Sequence, residues 1–159
     1  MLAHFIPPML LLRKESLPEG PEWLYEIKLD GYRAVGIKSG GKVQLRSRND
    51  SDFSARYSAI AKALMAMPDE TVIDGEVVAL DKDGRPSFNL LQNYGSSTGP
   101  IVFYVFDVMI LAGRDVMKEP LSARRELLHQ KVLPKLKEPI RHLPELEAAL
   151  PDLVKAVKG

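Results

Sequence analysis

Four short segments hold residues whose types and spacing could do chemistry. The first is Glu26-Ile27-Lys28-Leu29-Asp30-Gly31-Tyr32-Arg33, where Lys28 stands at the junction of two strand-like stretches. A lysine there can project into a cleft, and Gly31 lets the backbone approach a ligand closely. The same pattern fits a plain hairpin with a surface lysine and an Asp-Gly turn. Arg46-Ser47-Arg48-Asn49 closes the hairpin that follows. In Asp74-Gly75-Glu76 a two-residue period puts both carboxylates on one face of a strand, beside Val72 and Val78. Carboxylates in mid-strand on a partly desolvated face need partners. A metal ion, a ribose hydroxyl, or an arginine such as Arg33 or Arg48 would serve. Phe103-Tyr104-Val105-Phe106-Asp107 sets Tyr104 and Phe106 on a common face, where either ring could stack on a purine or join the core.

The elements that must position these residues are short. Trp23 to Lys28 alternates like a strand, as do Tyr32 to Lys38 and Lys42 to Ser47, with Ser39-Gly40-Gly41 suited to a tight hairpin. Ser54 to Met67 carries apolar residues at helical spacing, with Ser51 or Asp52 as N-cap and Pro68 as terminator. Thr71 to Leu80 reads as a strand, Asp81–Pro86 as a turn, and Ser87–Asn93 as a short helix. Gly95–Pro100 is a polar loop, and Ile101 to Leu111, the most apolar run, is a central strand. Leu121 to Val132, started by Pro120 or Ser122, and Glu145 to Lys158, restarted at Pro151, read as helices. Hairpins first and helices later give an α+β fold of antiparallel sheets with packed helices.

Bulk properties exclude several classes. At 159 residues with 45% hydrophobic content, the chain can bury one domain's core. Lys and Arg (22) nearly balance Asp and Glu (21), so whole-chain charge does not attract a polyanion, and any nucleic acid needs a local patch. The absence of cysteine excludes disulfides, thiolate zinc sites and a cysteine nucleophile. The opening MLAHFIPPMLLLRKE is too short and proline-broken for a signal peptide, and residues 1–22 read as an irregular lead-in. No stretch reaches membrane-spanning length, so a cytoplasmic protein is expected. His4, His129 and His142 show no ligand spacing and read as structural or surface residues.

Taken in order, the four segments resemble the covalent nucleotidyltransferase superfamily of ATP-dependent DNA ligases, RNA ligases and capping enzymes. Its signature runs K-x-D-G-x-R, S-R-N, D-G-E, then an aromatic strand ending in F-D. The surrounding sequence is similar to the ligase domain of bacterial DNA ligase D, an end-joining enzyme. Phe5-Ile6-Pro7-Pro8-Met9-Leu10, Gly84-Arg85-Pro86-Ser87-Phe88 and Pro120-Leu121-Ser122-Ala123-Arg124-Arg125 carry that resemblance.

The resemblance implies that Lys28 attacks the α-phosphate of ATP, expels pyrophosphate and becomes a lysine–AMP phosphoramide. A free lysine has a pKa of about 10.4, so cations and partial burial would have to lower it. By the same matching, Glu26, with the neighbouring backbone of Ile27, reads the adenine amino group. Arg33 and Glu76 contact the ribose, Glu76 also helps to hold Mg2+, and Arg48 contacts phosphate. Phe106 stacks on adenine, with Tyr104 in reserve, while Asp30 and Asp74 hold the site. The implied partners are ATP, magnesium, nicked or broken duplex DNA, and end-joining proteins. RNA ligation, guanine-selective capping and non-catalytic nucleotide binding are the alternatives. The family's later E-G-x-V-x-K and K-x-K motifs and its OB-fold domain do not occur here. The expectation is a partial adenylation domain over 1–159, with no ligation and slow or no self-adenylation.

Overall fold

The computed structural model describes residues 1–10, 21, 26, 29–94 and 100–143. The chain forms two bodies, one of Met1–Pro8 with Leu29–His142 and one of Met9–Lys28 with Leu143–Gly159. Every element named below lies in the first body. The predicted strand over Trp23–Lys28 apart from Glu26, the loop over Gly95–Pro100 apart from Pro100, and the helix over Glu145–Lys158 lie outside the described residues.

One six-stranded sheet organises the first body. The strands are β1 (Tyr32–Ser39), β2 (Lys42–Ser47), β3 (Thr71–Ala79), β4 (Ile101–Leu111), β5 (Arg114–Asp115) and β6 (Ile140–His142). They run β2-β1-β3-β4-β5, each antiparallel to its neighbour. The sheet is not wholly antiparallel as expected, because β6 returns to pair parallel with β4. The β1–β2 hairpin turns through Gly40 and Gly41, whose φ angles of 57° and 75° lie in the left-handed region that favours glycine.

The α helices are α1 (Ser58–Ala63), α2 (Phe88–Gln92) and α3 (Leu121–Leu127). The anticipated Ser54–Met67 helix begins four residues late. Phe53 N–H bonds the Leu45 carbonyl and Asp52 accepts from Ser54 N–H at 2.8 Å, so this stretch extends β2 before turning. Neither Ser51 nor Asp52 caps α1, whose N-cap residue, Tyr57, makes no side-chain cap. Ser87 does cap α2, accepting from Leu90 N–H at 3.3 Å. The anticipated Leu121–Val132 helix is α-helical to Leu127 and then widens by one residue per turn through Val132.

The two faces of the sheet are buried by different means, which is why β3 and β4 lack alternation. On one face Ala34, Leu45, Ile73, Val77, Phe103, Val105 and Val108 pack with Ile60, Leu64, Leu91 and Leu128 of the helical side. On the other, Val35, Ile37, Val72, Met109 and Ile110 are covered by Ala3, Phe5 and Ile6 of the lead-in. A smaller cluster of Val78, Leu80 and Val102, with Leu29 against it, closes the far end. Between those two clusters the second face turns polar.

Two glycines set the spacing of β3 from its neighbours. A β-carbon on Gly31 would collide with the Val77 carbonyl oxygen, and one on Gly75 with the Tyr104 carbonyl oxygen and, at 2.6 Å, with Phe103 Cε1. The close approach of Gly31 is therefore to β3 rather than to a ligand. Backbone and a core ring give way poorly, so Gly75→Ala should cost about 3 kcal/mol of stability in urea unfolding. Among the described residues no helix is long and apolar enough to cross a membrane.

Candidate functional site

The polar band is written by the sheet register. Arg33 on β1 faces Glu76 on β3, Glu76 faces Tyr104 on β4, and Tyr104 faces Arg141 on β6. Paired residues share a face, so these four side chains form one row across four strands. A second row sets Arg46, Val35, Asp74 and Asp107 side by side. The β3–β4 register slips between Asp74 and Gly75, leaving Phe106 as an extra residue of β4. Such a bulge lets consecutive side chains share a face, which brings Phe106 beside Asp107 at the band.

Two partly buried arginine–aspartate pairs stiffen it. Arg33 donates from Nε to Asp74 at 2.8 Å and from Nη2 at 2.6 Å, a bidentate fork. Burial pushes the Asp74 carboxyl above its ordinary pKa, with Asp107 adding and Arg33 opposing. Burial also opposes the Arg33 charge, but Asp74 holds that group net above its usual value. Arg124 of α3 donates to Asp107 at 2.9 and 3.2 Å and to the Glu119 carbonyl at 2.7 Å, fastening the helix start to β4. The Arg33 guanidinium also lies 4.8 Å from the centroid of the Phe106 ring.

The predicted site residues separate clearly. Arg33, Glu76, Phe106 and the reserve ring Tyr104 come together in the band. Asp74 takes the bland role foreseen for the Asp-Gly-Glu pair, an ion pair with Arg33. Arg48 is exposed in the turn two residues beyond Arg46, while Arg46 is tied to Asp50 at 2.8 Å. Asp30 is exposed. Lys28 and Ile27 lie outside the described residues, and Glu26, exposed, belongs to the second body. The rings of His129 and His142, both exposed, meet edge to face at 5.3 Å.

Arg124, Asp107 and Arg141 were not assigned from the sequence. The first two lie inside segments already singled out, and a lone arginine in a three-residue strand gives no local signal. Among the described residues no three His, Asp or Glu side chains gather as a metal cluster. Asp74 and Asp107 are each engaged by arginine, and Glu76 stands with them in the band. Magnesium is commonly held by one or two carboxylates together with substrate phosphates, a donor type that Glu76 supplies.

The family model described as "ATP dependent DNA ligase domain" matches residues 1–150, and the chain belongs to that family. It is 36% identical over 143 residues to the "Multifunctional non-homologous end joining protein LigD" of Pseudomonas aeruginosa, covering 88% of this chain and 17% of that protein. The LigD protein of Mycolicibacterium smegmatis is 40% identical over 109 residues, or 67% of this chain and 14% of the relative. The chain thus spans about one sixth of the length of these relatives.

Among solved structures, the ligase domain of M. tuberculosis LigD superposes with a TM-score of 0.72 at 32% identity, covering 86% of this chain and 44% of that one. A mycobacterial DNA ligase D complexed with ATP and MES gives 0.69 at 30% identity, covering 85% and 44%. The α+β fold expected from the sequence is the fold of these ligase domains.

Proposed function

We propose that this chain supplies the nucleotide-binding face of an ATP-dependent DNA ligase that charges itself with AMP at Lys28. The observation that carries the reading is the row Arg33–Glu76–Tyr104 with Phe106 beside it. A cation, a carboxylate and aromatic rings on one polar strip match what an adenine nucleoside needs: ribose hydroxyls bound by Arg33 and Glu76, and a base stacked on a ring. Phe106 is the stacking residue we favour.

In the reaction the Lys28 amine, having lost its proton, attacks the α-phosphorus. The nitrogen–phosphorus bond forms as the bond to the bridging oxygen of pyrophosphate breaks. Magnesium, when bound, neutralises triphosphate charge and stabilises the departing pyrophosphate. Arg48 engages a phosphate, Glu26 and the Ile27 backbone read the adenine amino group, and Glu76 lends its carboxylate to the metal. The AMP then passes to a DNA 5′-phosphate at a nick or break. Relatives named for non-homologous end joining support broken duplex DNA as the substrate and end-joining proteins as partners. They do not favour RNA ligation or capping.

The test is the intact mass of the chain after incubation with ATP and Mg2+. We expect at most a slow gain of covalent AMP, which added pyrophosphate removes because the phosphoramide bond forms reversibly. A folded chain that neither binds ATP nor gains mass would overturn the reading.

A further inference from the structure

We propose that Arg141 reads the edge of the adenine base remote from the sugar, donating to ring nitrogen N1. The inference rests on the nucleotide reading above. It begins from the register, which makes Arg141 the end of the row Arg33–Glu76–Tyr104–Arg141. Neighbouring strands lie about 4.8 Å apart, so the row extends roughly 14 Å, the length of a nucleoside plus a reaching side chain.

Burial fixes which face Arg141 uses. Its neighbour Ile140 is buried with Phe103 in the core on the helical face, so alternation turns Arg141 to the polar face beside Tyr104. There its side chain is 40% exposed. Glu138 accepts from Nε at 2.8 Å, and the Tyr104 hydroxyl is a second hydrogen-bond partner. A guanidinium has five donor hydrogens, so these two contacts hold its orientation and leave others to give.

With ribose at Arg33 and Glu76 and the base on Phe106, the glycosidic bond lies toward β1 and β3. The opposite end of the purine faces β6. In adenine that end carries N1, an acceptor, whereas guanine carries an N1–H donor there. A donor-only side chain donates to the first and offers no acceptor to the second. Arg141 is therefore a specificity-determining residue for adenine over guanine. The parallel strand β6, which builds nothing else in the band, is what brings it there.

The experiment compares AMP and 1-deaza-AMP, in which a carbon replaces N1, by calorimetric titration of the wild-type chain and Arg141→Met. AMP should bind about tenfold more weakly to the variant. The 1-deaza analogue should bind both proteins equally, and GMP should gain relative to AMP in the variant. Arg141→Lys, which keeps a donor, should recover part of the loss, and a melting curve confirms that each variant is folded.

A loss equal for AMP and the deaza analogue, or one that grows from adenosine to AMP to ATP, would mean a phosphate or structural role and sink the proposal. Unchanged AMP affinity in Arg141→Met would sink it too. Phe106→Ala separates the two failures. If that variant loses AMP while Arg141→Met does not, only the Arg141 inference falls. If neither loses AMP, or the wild-type chain does not bind it, the nucleotide reading falls with it.

Discussion

Lys28→Ala should abolish the covalent AMP adduct altogether while changing the ATP dissociation constant by only a few-fold. The reasoning is chemical. On the proposed reading Arg33, Arg48 and Glu76 hold the nucleotide through its sugar and phosphates, but none is a competent nucleophile toward phosphorus. A guanidinium stays protonated and a carboxylate gives an unstable mixed anhydride. Loss of a group that forms the bond therefore removes the step, whereas loss of one cation near a triphosphate costs only a modest part of binding. Lys28→Arg sharpens the test, because it retains positive charge without an attacking amine and should be as inactive as alanine. Intact mass reads the adduct, and titration with a non-hydrolysable ATP analogue reads binding. An adduct that survives in Lys28→Ala would move the nucleophile elsewhere and leave the band as a binding surface.

How far the sequence disclosed the site depends on how local each feature is. The β1–β2 hairpin was legible because Gly40-Gly41 permits few turns, and β3 and β4 because runs rich in β-branched and aromatic residues, broken only at Asp74-Gly75-Glu76 and Asp107, fit a doubly covered sheet. The shared face of Asp74 and Glu76 follows from period two and holds in the structure. Alternation set Phe106 on the face of Tyr104, as found, but could not foretell the bulge at Phe106 that turns Asp107 to the same band. Nor could it show that the two acids divide their work, one locked to Arg33 and the other standing in the Tyr104 row.

The start of α1 was misplaced for a related reason. Asp52 is a good N-cap type, but its carboxylate takes the nearer Ser54 N–H in a tight turn before any helix begins. Arg141 lay furthest from reach. Its place depends on a parallel pairing between β4 and a three-residue strand some 30 positions later, and parallel partners announce themselves by no turn.

Arg33→Ala should destabilise the fold by about 3–5 kcal/mol near pH 8, and by clearly less near pH 5. Asp74 is almost fully buried, with 4% of its side chain exposed, and Arg33 is its bidentate partner at 2.6 and 2.8 Å. Burial already raises the Asp74 pKa, while Arg33 contributes the largest opposing influences. Without the arginine the carboxyl rises further, because desolvation and the neighbouring Asp107 then act against a weaker counterweight.

The sign follows from linkage. A carboxyl whose folded pKa lies above its unfolded value binds its proton more tightly when folded. Stability is then complete below the unfolded pKa and is lost as pH climbs through the folded one. Arg33→Ala should therefore unfold more readily as pH rises from 5 to 8, a slope much steeper than the wild type's. Arg33→Ala combined with Asp74→Asn removes the buried charge and should recover much of the deficit and flatten the slope. Urea unfolding at several pH values measures both. A pH-independent loss in the single variant, unrelieved in the double, would assign the damage to lost packing over Phe106 rather than to the stranded carboxylate.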